Sequence, residues 1–541
     1  MKRKLRYGAL CVSVCAAGLS AARAAPIDEA AARHFLEQAS FGPTTESVAQ
    51  VRQLGTAGWL NQQFSLPASD YGGFSYADPN PKVGCPAGAA ASCKRDTYSL
   101  FPLQLQFFRN ALTRPDQLRQ RVAFALSQIL VVSGQQIRQP YAMANYQRIF
   151  LRNAFGNFRD ILREVSLSPA MGNYLNMVNN DKPNPAKGSE PNENYAREVM
   201  QLFTIGLWQL NPDGSQKLGA DGKPLTSYDQ EVVEGFAHVF TGWTYAPLPG
   251  ATSHWTNPRN FGVSMVPFDN HHDSGSKLLL NGQVLAGGGT PTADLEAAID
   301  SLFKHPNVGP FIGRQLIQML VTSNPSPDYV ARVSSAFNGD HGTPRGDMKA
   351  TVAAVLLDPE AVKPVQPTKF GKLREPVLAL TDLVRSLGGR SDGVWLLRQT
   401  GALGEPVFSP PTVFSFFPPD YALPDDPQDQ GPAFGLFSAA SVATYSGAVS
   451  TLLSDKPIAA DPSVAGSTGT SIDLTSWQAS AADPRKLVAE INRVLFPAGM
   501  SAALQQELLS AINAVPATDA GLRARTALFL AAMSPEYFVE H

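Results

Sequence analysis

Two histidines, two carboxylates and a lysine fall within the segment 268–277, FDNHHDSGSK, in a chain that has only eight histidines. Imidazole and carboxylate groups together suit a transition-metal site or general acid–base catalysis. Adjacent histidines point in different directions in any regular structure, so at most one of them serves a given site. The candidates are His272, Asp273 and Lys277. The simpler interpretation is a surface loop with solvated histidines.

A second polar segment, 191–203, reads PNENYAREVMQLF and predicts the start of a helix with Asn192 as its cap. On that helix Glu193 and Arg197 are spaced i,i+4 and pair, and Glu198 lies on the same polar side. One interpretation is an amphipathic helix with a solvated face. The other is a buried polar network that serves a site, because unpaired buried polar groups destabilise a fold.

The two segments form one site if the loop folds over the start of the helix. His272 or Asp273 then approaches Glu193 or Glu198, and Trp243 walls the pocket. This arrangement offers either a divalent metal site made of Glu198, His272 and Asp273, or a carboxylate pair that hydrolyses a glycan or ester. Ligands of one metal each lie about 2.0–2.2 Å from it, so the hypothesis requires these side chains to converge.

The N-terminus predicts a cleavable secretory signal. A cationic start precedes the charge-free stretch 7–20, which is shorter than the about 20 residues that a membrane-spanning helix needs. The sequence Ala22-Arg23-Ala24 then provides the small residues that signal peptidase recognises. We therefore expect cleavage near Ala24 and a periplasmic or secreted protein, although a short buried helix is the alternative.

Loss of the signal changes the charge and the cysteine count. Residues 1–24 contain five of the 44 Lys and Arg and none of the 46 Asp and Glu, so the mature chain carries a net charge near −7. This acidic balance argues against a nucleic-acid partner, and no later apolar run reaches transmembrane length. Only Cys85 and Cys93 remain, and in an oxidising compartment they predict one disulfide.

Hydrophobic periodicity predicts a mainly α protein, an irregular multi-helix bundle. Apolar side chains recur at helical spacing in 27–41, 46–64, 98–113 and 116–133. Three Ser-Pro or Asp-Pro pairs, at Ser168, Asp358 and Ser534, have the chemistry of helix starts. Familiar catalytic signatures (HExxH, GxSxG, the Walker loop and the Rossmann fingerprint) are absent from the sequence.

The expected organisation has three parts. The signal peptide covers 1–24, a helical main domain covers 25–440, and a C-terminal helical part, 441–541, packs on the main domain. Turn sequences predict one small β-hairpin insertion at 207–228. Segments rich in Pro, Gly or other small residues predict long ordered loops at 67–96 and 245–291 and a flexible excursion at 455–478.

Several long motifs resemble the signature segments of domain-of-unknown-function family 1800, and they lie at 33–44, 118–133, 191–206, 240–243, 271–277 and 408–421. The resemblance covers nearly the whole mature chain. It implies an exported, mainly helical bacterial protein. It also implies a partner, since such proteins are often encoded beside exported proteins of domain-of-unknown-function family 1501, which resemble sulfatases and phosphatases. The family has no established catalytic residues to carry over.

Three functions stay open at this stage. The protein is a hydrolase with a Glu/Arg/His/Asp site, a non-enzymatic partner or chaperone of a co-encoded exported protein, or a binding protein for a cell-wall or matrix polymer. A hydrolase requires a pocket in which the clusters converge. A polymer-binding protein requires a groove lined with exposed aromatic residues, for which Trp208, Trp243, Tyr245 and Trp255 are candidates.

Overall fold

The computed structural model describes residues 27–363 and 370–540. Within these ranges the chain forms 24 α-helices and ten short strands, which confirms the mainly α class. The predicted signal peptide lies outside the described residues. The helices up to residue 239 are α1 (Glu29–Ala39), α2 (Thr45–Ser65), α3 (Pro81–Gly84), α4 (Cys93–Tyr98), α5 (Phe101–Thr113), α6 (Gln117–Ile129), α7 (Pro140–Asn153), α8 (Phe158–Leu167), α9 (Pro169–Tyr174), α10 (Asn194–Gln201) and α11 (Gln230–Val239).

The remaining helices are α12 (Pro291–Lys304), α13 (Val308–Leu320), α14 (Pro327–Asn338), α15 (Met348–Leu356), α16 (Pro359–Val362), α17 (Pro376–Ser386), α18 (Val394–Ala402), α19 (Ala439–Leu452), α20 (Thr475–Ser480), α21 (Pro484–Leu495), α22 (Ala502–Ala514), α23 (Ala520–Met533) and α24 (Pro535–Phe538). The three Ser-Pro and Asp-Pro pairs begin α9, α16 and α24, as predicted. The Asp358 and Ser534 side chains accept hydrogen bonds from the first turns of α16 and α24.

The strands pair in five two-stranded antiparallel sheets within the described part of the chain. The pairs are β1 (Trp243–Thr244) with β2 (Val266–Pro267), β3 (Lys277–Leu278) with β4 (Val284–Leu285), β5 (Lys372–Leu373) with β10 (Val539–Glu540), β6 (Arg390–Ser391) with β9 (Thr470–Ser471), and β7 (Ala422–Leu423) with β8 (Asp426–Gln430). The β5–β10 pair joins the last described residues to the middle of the chain and places Lys372 opposite Glu540.

The insertion at 207–228 contains three short extended segments that pair through isolated bridges. The bridges are Trp208 with Thr226, Leu210 with Gln216, and Leu218 with Pro224. Its two turns use the predicted chemistry: Gly214 and Gly222 adopt positive φ, where a side chain would be strained. The structure thus contains the small β insertion predicted at 207–228, with both of its predicted turns.

One large hydrophobic core runs through the described residues, from Ala32 in α1 to Tyr537 in α24, and a small separate cluster contains Leu105, Val394 and Val464. Side chains from both sides of the predicted boundary at residue 440 pack in the large core. The predicted excursion 455–478 contains β9, and its backbone and Ser467 donate three hydrogen bonds to one oxygen of Asp392. In the described ranges, no helix combines the length and apolar character needed to cross a membrane.

Cys85 and Cys93 form the predicted disulfide, which joins the end of α3 to the start of α4. We expect a Cys85→Ser/Cys93→Ser variant to lose about 2–3 kcal/mol of unfolding free energy, because the bond closes only a short loop in the unfolded chain. Urea titration followed by circular dichroism measures this loss. Dithiothreitol should lower the unfolding free energy of the parent to that of the variant. An unchanged unfolding free energy of the parent in dithiothreitol would contradict the prediction.

Candidate functional site

The predicted loop cluster contains a buried ion group rather than an open site. The Nζ atom of Lys277 lies 2.8 Å from Oδ2 of Asp294, and Nε2 of His272 lies 3.1 Å from the same oxygen. All three side chains are buried. Lys277 also donates to the carbonyl oxygens of Asp273 and Gly275. Its ammonium therefore has a full set of acceptors, which is typical of a buried charge that holds a fold together.

Asp273 faces a different partner, the His238 ring at the end of α11. Burial alone would raise the pKa of Asp273, but the N–H of Gly275 and the His238 ring outweigh it and lower that pKa below its usual value. The other ring nitrogen of His272 lies beside the hydroxyl and carbonyl of Thr241. Both histidine nitrogens are thus engaged by protein atoms.

The second polar segment, 191–203, lies at the other end of α11. The Arg197 guanidinium contacts Glu193 at 2.6 Å, which confirms the i,i+4 pair, and donates to Gln230 at 2.6 Å. The helix begins one residue later than expected, with Glu193 rather than Asn192 at its cap position. Burial raises the pKa of the Glu198 carboxyl, whose Oε2 atom has no hydrogen-bond partner.

The single site expected from the sequence does not form, because α11 separates the two clusters. Gln230 is the first residue of this helix and donates a hydrogen bond to Glu193 in the second polar segment. His238, near the end of the helix, contacts Asp273 in the loop cluster. These positions are eight residues apart, about 12 Å along a helix. Glu198, His272 and Asp273 do not converge. Among the described residues, no group of three His, Cys, Asp or Glu side chains is placed to hold a metal ion.

A cavity of about 530 Å³ opens elsewhere, between segments that are far apart in sequence. We call it the glutamine cavity, after the six glutamines that line it: Gln128, Gln201, Gln216, Gln315, Gln318 and Gln430. Its walls come from the end of α6, the end of α10 with the insertion, one face of α13, and the chain between 413 and 430. Its volume lies in the range of small-molecule sites.

Two of these glutamines present unpaired amide atoms although they are buried. Gln128 and Gln315 are 5% and 7% exposed, and Oε1 of Gln128 and Nε2 of Gln315 have no hydrogen-bond partner. Buried polar atoms are nearly always paired in native proteins. An open acceptor and an open donor in one cavity wall therefore indicate a place for a polar ligand.

Aromatic side chains stand at the mouth of the glutamine cavity. Trp208 and Phe414 line it and are 38% and 45% exposed. Of the four aromatic residues proposed for polymer binding, only Trp208 lines this cavity. Trp243 and Tyr245 are buried, and Trp255 stacks on His271 with ring centroids 4.1 Å apart. Trp243 therefore does not wall a pocket between the two predicted clusters.

A buried charge network lies behind the glutamine cavity. Nε2 of Gln128 donates to both carboxyl oxygens of Glu375, at 3.3 and 3.4 Å. Arg121 lies two turns before Gln128 on α6 and is fully buried. Burial lowers the pKa of its guanidinium, and of the nearby charges Glu375 does most to offset this. A void of about 20 Å³ touches Gln318, Lys372 and Glu375 and lies between the cavity wall and the network.

The network extends through β5 to a second cavity of about 470 Å³. Lys372 pairs with Glu540 at 3.2 Å. Arg374 donates to Glu37 at 2.5 Å and lies 3.6 Å from Asp382. Glu37 and Arg374 line the second cavity.

Carboxyl groups outnumber cations in this network. Four buried cations, Arg121, Lys372, Arg374 and Arg385, face five buried carboxyls: Glu37, Glu375, Asp382, Glu405 and Glu540. Burial raises the pKa of Glu37 to about 8, and it raises the pKa of Glu375 and, by a larger amount, that of Glu405. Some of these carboxyls are therefore protonated at neutral pH.

Apart from Trp208, the residues that form the glutamine cavity and the buried charge network are not predicted from the sequence. A signal was present in α13, where Arg314, Gln315 and Gln318 interrupt an otherwise apolar helix at one-turn spacing. The segments that carry the family resemblance at 118–133, 191–206 and 408–421 all contribute to the glutamine cavity.

Fold and site together define a mainly helical protein with one large core, a buried charge network and an amide-lined cavity. The chain belongs to the family described as a protein of unknown function, DUF1800, whose model matches residues 34–539. No curated protein and no solved structure matches the chain.

The ion group of the loop cluster gives a stability prediction. Asp294→Asn should lower the unfolding free energy by about 3–5 kcal/mol, because it leaves the Lys277 ammonium buried without a carboxylate. Glu193→Gln, in the half-buried pair with Arg197, is the matched control and should cost less than about 1 kcal/mol. Urea unfolding measures both changes. Equal stability of the two variants would contradict a structural role for Asp294.

The Glu37 carboxyl gives a pH prediction. Its pKa is about 8 in the folded protein and near 4.5 when unperturbed, so only the folded state holds this proton between those values. Stability therefore falls with rising pH across that window, by up to about 1.4 kcal/mol per pH unit. In Glu37→Gln the fall between pH 5.5 and 8 should be smaller than in the parent, as measured by urea unfolding. Exposed Glu507→Gln is the control, and an unchanged slope in Glu37→Gln would refute the prediction.

Proposed function

We propose that the protein is an exported binding protein for a cell-wall or matrix glycan, held in the glutamine cavity. The observation that carries the proposal is the pair of unpaired amide atoms, on Gln128 and Gln315, in the buried wall of an open cavity. Sugar hydroxyls both donate and accept, so they match an open acceptor beside an open donor. The signal-like N-terminus supports export.

The mouth of the cavity supports the same ligand class. Trp208 and Phe414 offer apolar ring faces beside the amides. A sugar ring has an apolar face and a polar edge, so it matches a site that combines aromatic surfaces with a few placed polar groups. Trp208 is 38% exposed at the cavity, which also allows a chain to extend beyond it, as binding of a polymer requires.

Hydrolysis is the second candidate function, and the second cavity favours it. Glu37 lines that cavity and keeps its proton up to about pH 8, as a general acid requires. Glu536 lines the same cavity and accepts hydrogen bonds from the backbone and side chain of Ser501. Under this proposal Glu37 would protonate a leaving oxygen while Glu536 activates water.

The partner role is compatible with glycan binding. The insertion exposes Leu218 and Leu225 next to the cavity wall, and exposed apolar side chains are typical of protein contacts. A co-encoded exported protein of the sulfatase-like family 1501 is the partner that we propose for this surface. Such a partner would act on the polymer that the cavity holds.

Calorimetry with neutral hexasaccharides of glucose, xylose and N-acetylglucosamine tests the binding function. Gln315→Leu should weaken binding about 5- to 50-fold, because a ligand hydroxyl loses its partner, and it should leave stability unchanged or higher. Exposed Gln53→Leu is the matched control and should bind like the parent. The proposed binding function would be contradicted if the parent bound no oligosaccharide, or if the Gln315→Leu variant bound as tightly as the parent. Release of reducing ends by the parent but not by Glu37→Gln would add hydrolysis to binding.

A further inference from the structure

Arg314 is the one cation that lines the glutamine cavity within the described residues. It follows Pro310 by about one turn of α13, and its Nη2 atom donates to the amide oxygen of Gln430 at 3.0 Å. No carboxylate in the described ranges forms an ion pair with it. Asp420 lines the same cavity, and its charge raises the pKa of Arg314 without a direct ion pair between them.

Arg314 is partly exposed, and it has fewer acceptors than Arg374 and Arg385, which are buried. Arg374 contacts the carboxyl groups of Glu37 and Asp382. Arg385 donates to three backbone carbonyl oxygens, those of Gly42, Ala111 and Leu112. Arg314 has one neutral amide as its acceptor, although burial is strong enough to lower its pKa. Its guanidinium thus has donors available for a ligand.

A second observation lies beside it on the same helix. Gln315 is 7% exposed, lines the cavity, and its Nε2 atom is buried without a partner. The planar fork of the Arg314 guanidinium therefore lies in the cavity lining next to a buried amide donor that has no partner. Two oxygens in one plane, as in a carboxylate, match a guanidinium fork better than any neutral acceptor does.

We infer that the glutamine cavity selects an acidic oligosaccharide, a uronate-type glycan whose carboxylate pairs with Arg314. This inference rests on the proposed glycan-binding function and names its substrate class. The sugar ring of such a residue lies against Trp208 or Phe414, and its hydroxyls meet the amides of Gln128 and Gln315.

The charge of the site favours a single negative charge. Asp420 is exposed at the same cavity and offsets part of the charge of Arg314. A carboxylate carries one charge, whereas a phosphate monoester carries between about 1.5 and 2 at pH 7. The mature chain is itself acidic, so its overall field does not attract a polyanion. Selectivity must therefore come from the local contact with Arg314.

Calorimetry with matched ligands tests this selectivity. The probes are hexamers of galacturonate, mannuronate and glucuronate, each compared with its methyl ester. At least one acid should bind the mature protein about 10- to 100-fold tighter than its ester, and the difference should shrink in 0.5 M NaCl. Arg314→Gln should remove the difference while still binding the ester. Arg485→Gln, at an exposed position outside the cavity, should retain it.

The outcomes separate the inference from the function beneath it. Esters that bind as tightly as their acids overturn the inference and leave glycan binding in place. Failure of every oligosaccharide, acidic or neutral, overturns both. Hexaglutamate that displaces the uronate hexamers at equal concentration shows that the site reads acidic peptide and overturns the saccharide class. If Arg314→Gln does not fold, the difference between acid and ester in the parent and its salt dependence decide alone.

Discussion

The β5–β10 pair places Lys372, Arg374 and Glu540 in the middle of the core, where charges are stable only when they are paired. The helices around this pair must supply the partners, and they do so from distant parts of the chain. α1 brings Glu37 and α6 brings Arg121. Because each removed partner would leave a buried charge, the network ties the N-terminal, central and C-terminal helices into one arrangement.

The same network orients the wall of the glutamine cavity. The amide nitrogen of Gln128 donates a hydrogen bond to Glu375, and its amide oxygen has no hydrogen-bond partner. Carboxyl groups outnumber cations in this network, and burial raises the pKa of Glu37, Glu375 and Glu405. In the polar loop cluster, the single carboxylate of Asp294 contacts both Lys277 and His272. Polar side chains that look catalytic in sequence are thus divided between those that hold the fold and those that face a cavity.

Unpaired groups, rather than charged groups in general, point to the ligand. Arg374 contacts the carboxyl groups of Glu37 and Asp382 and belongs to the fold. Gln315 and Arg314 are adjacent on α13 and line the glutamine cavity. Nε2 of Gln315 has no hydrogen-bond partner, and Arg314 donates to the amide oxygen of Gln430. A glycan with hydroxyl and carboxylate groups supplies the missing acceptors and donors together. The exposed aromatic residues at the mouth supply the apolar surface that a sugar ring needs.

Local spacing was enough for much of the fold. Helix periods, the proline-started helices and the Glu193–Arg197 pair all depend on residues within a few positions, and the disulfide was predicted from the two cysteines that lie outside the predicted signal. The site depends on contacts over long separations, which no local pattern encodes. Glu37 meets Arg374 across 337 positions, and the glutamine cavity is walled by four separate segments. The sequence alone therefore determined the helical class and the local pairs, whereas tertiary packing decided which polar side chains are buried, which are paired and which face a ligand.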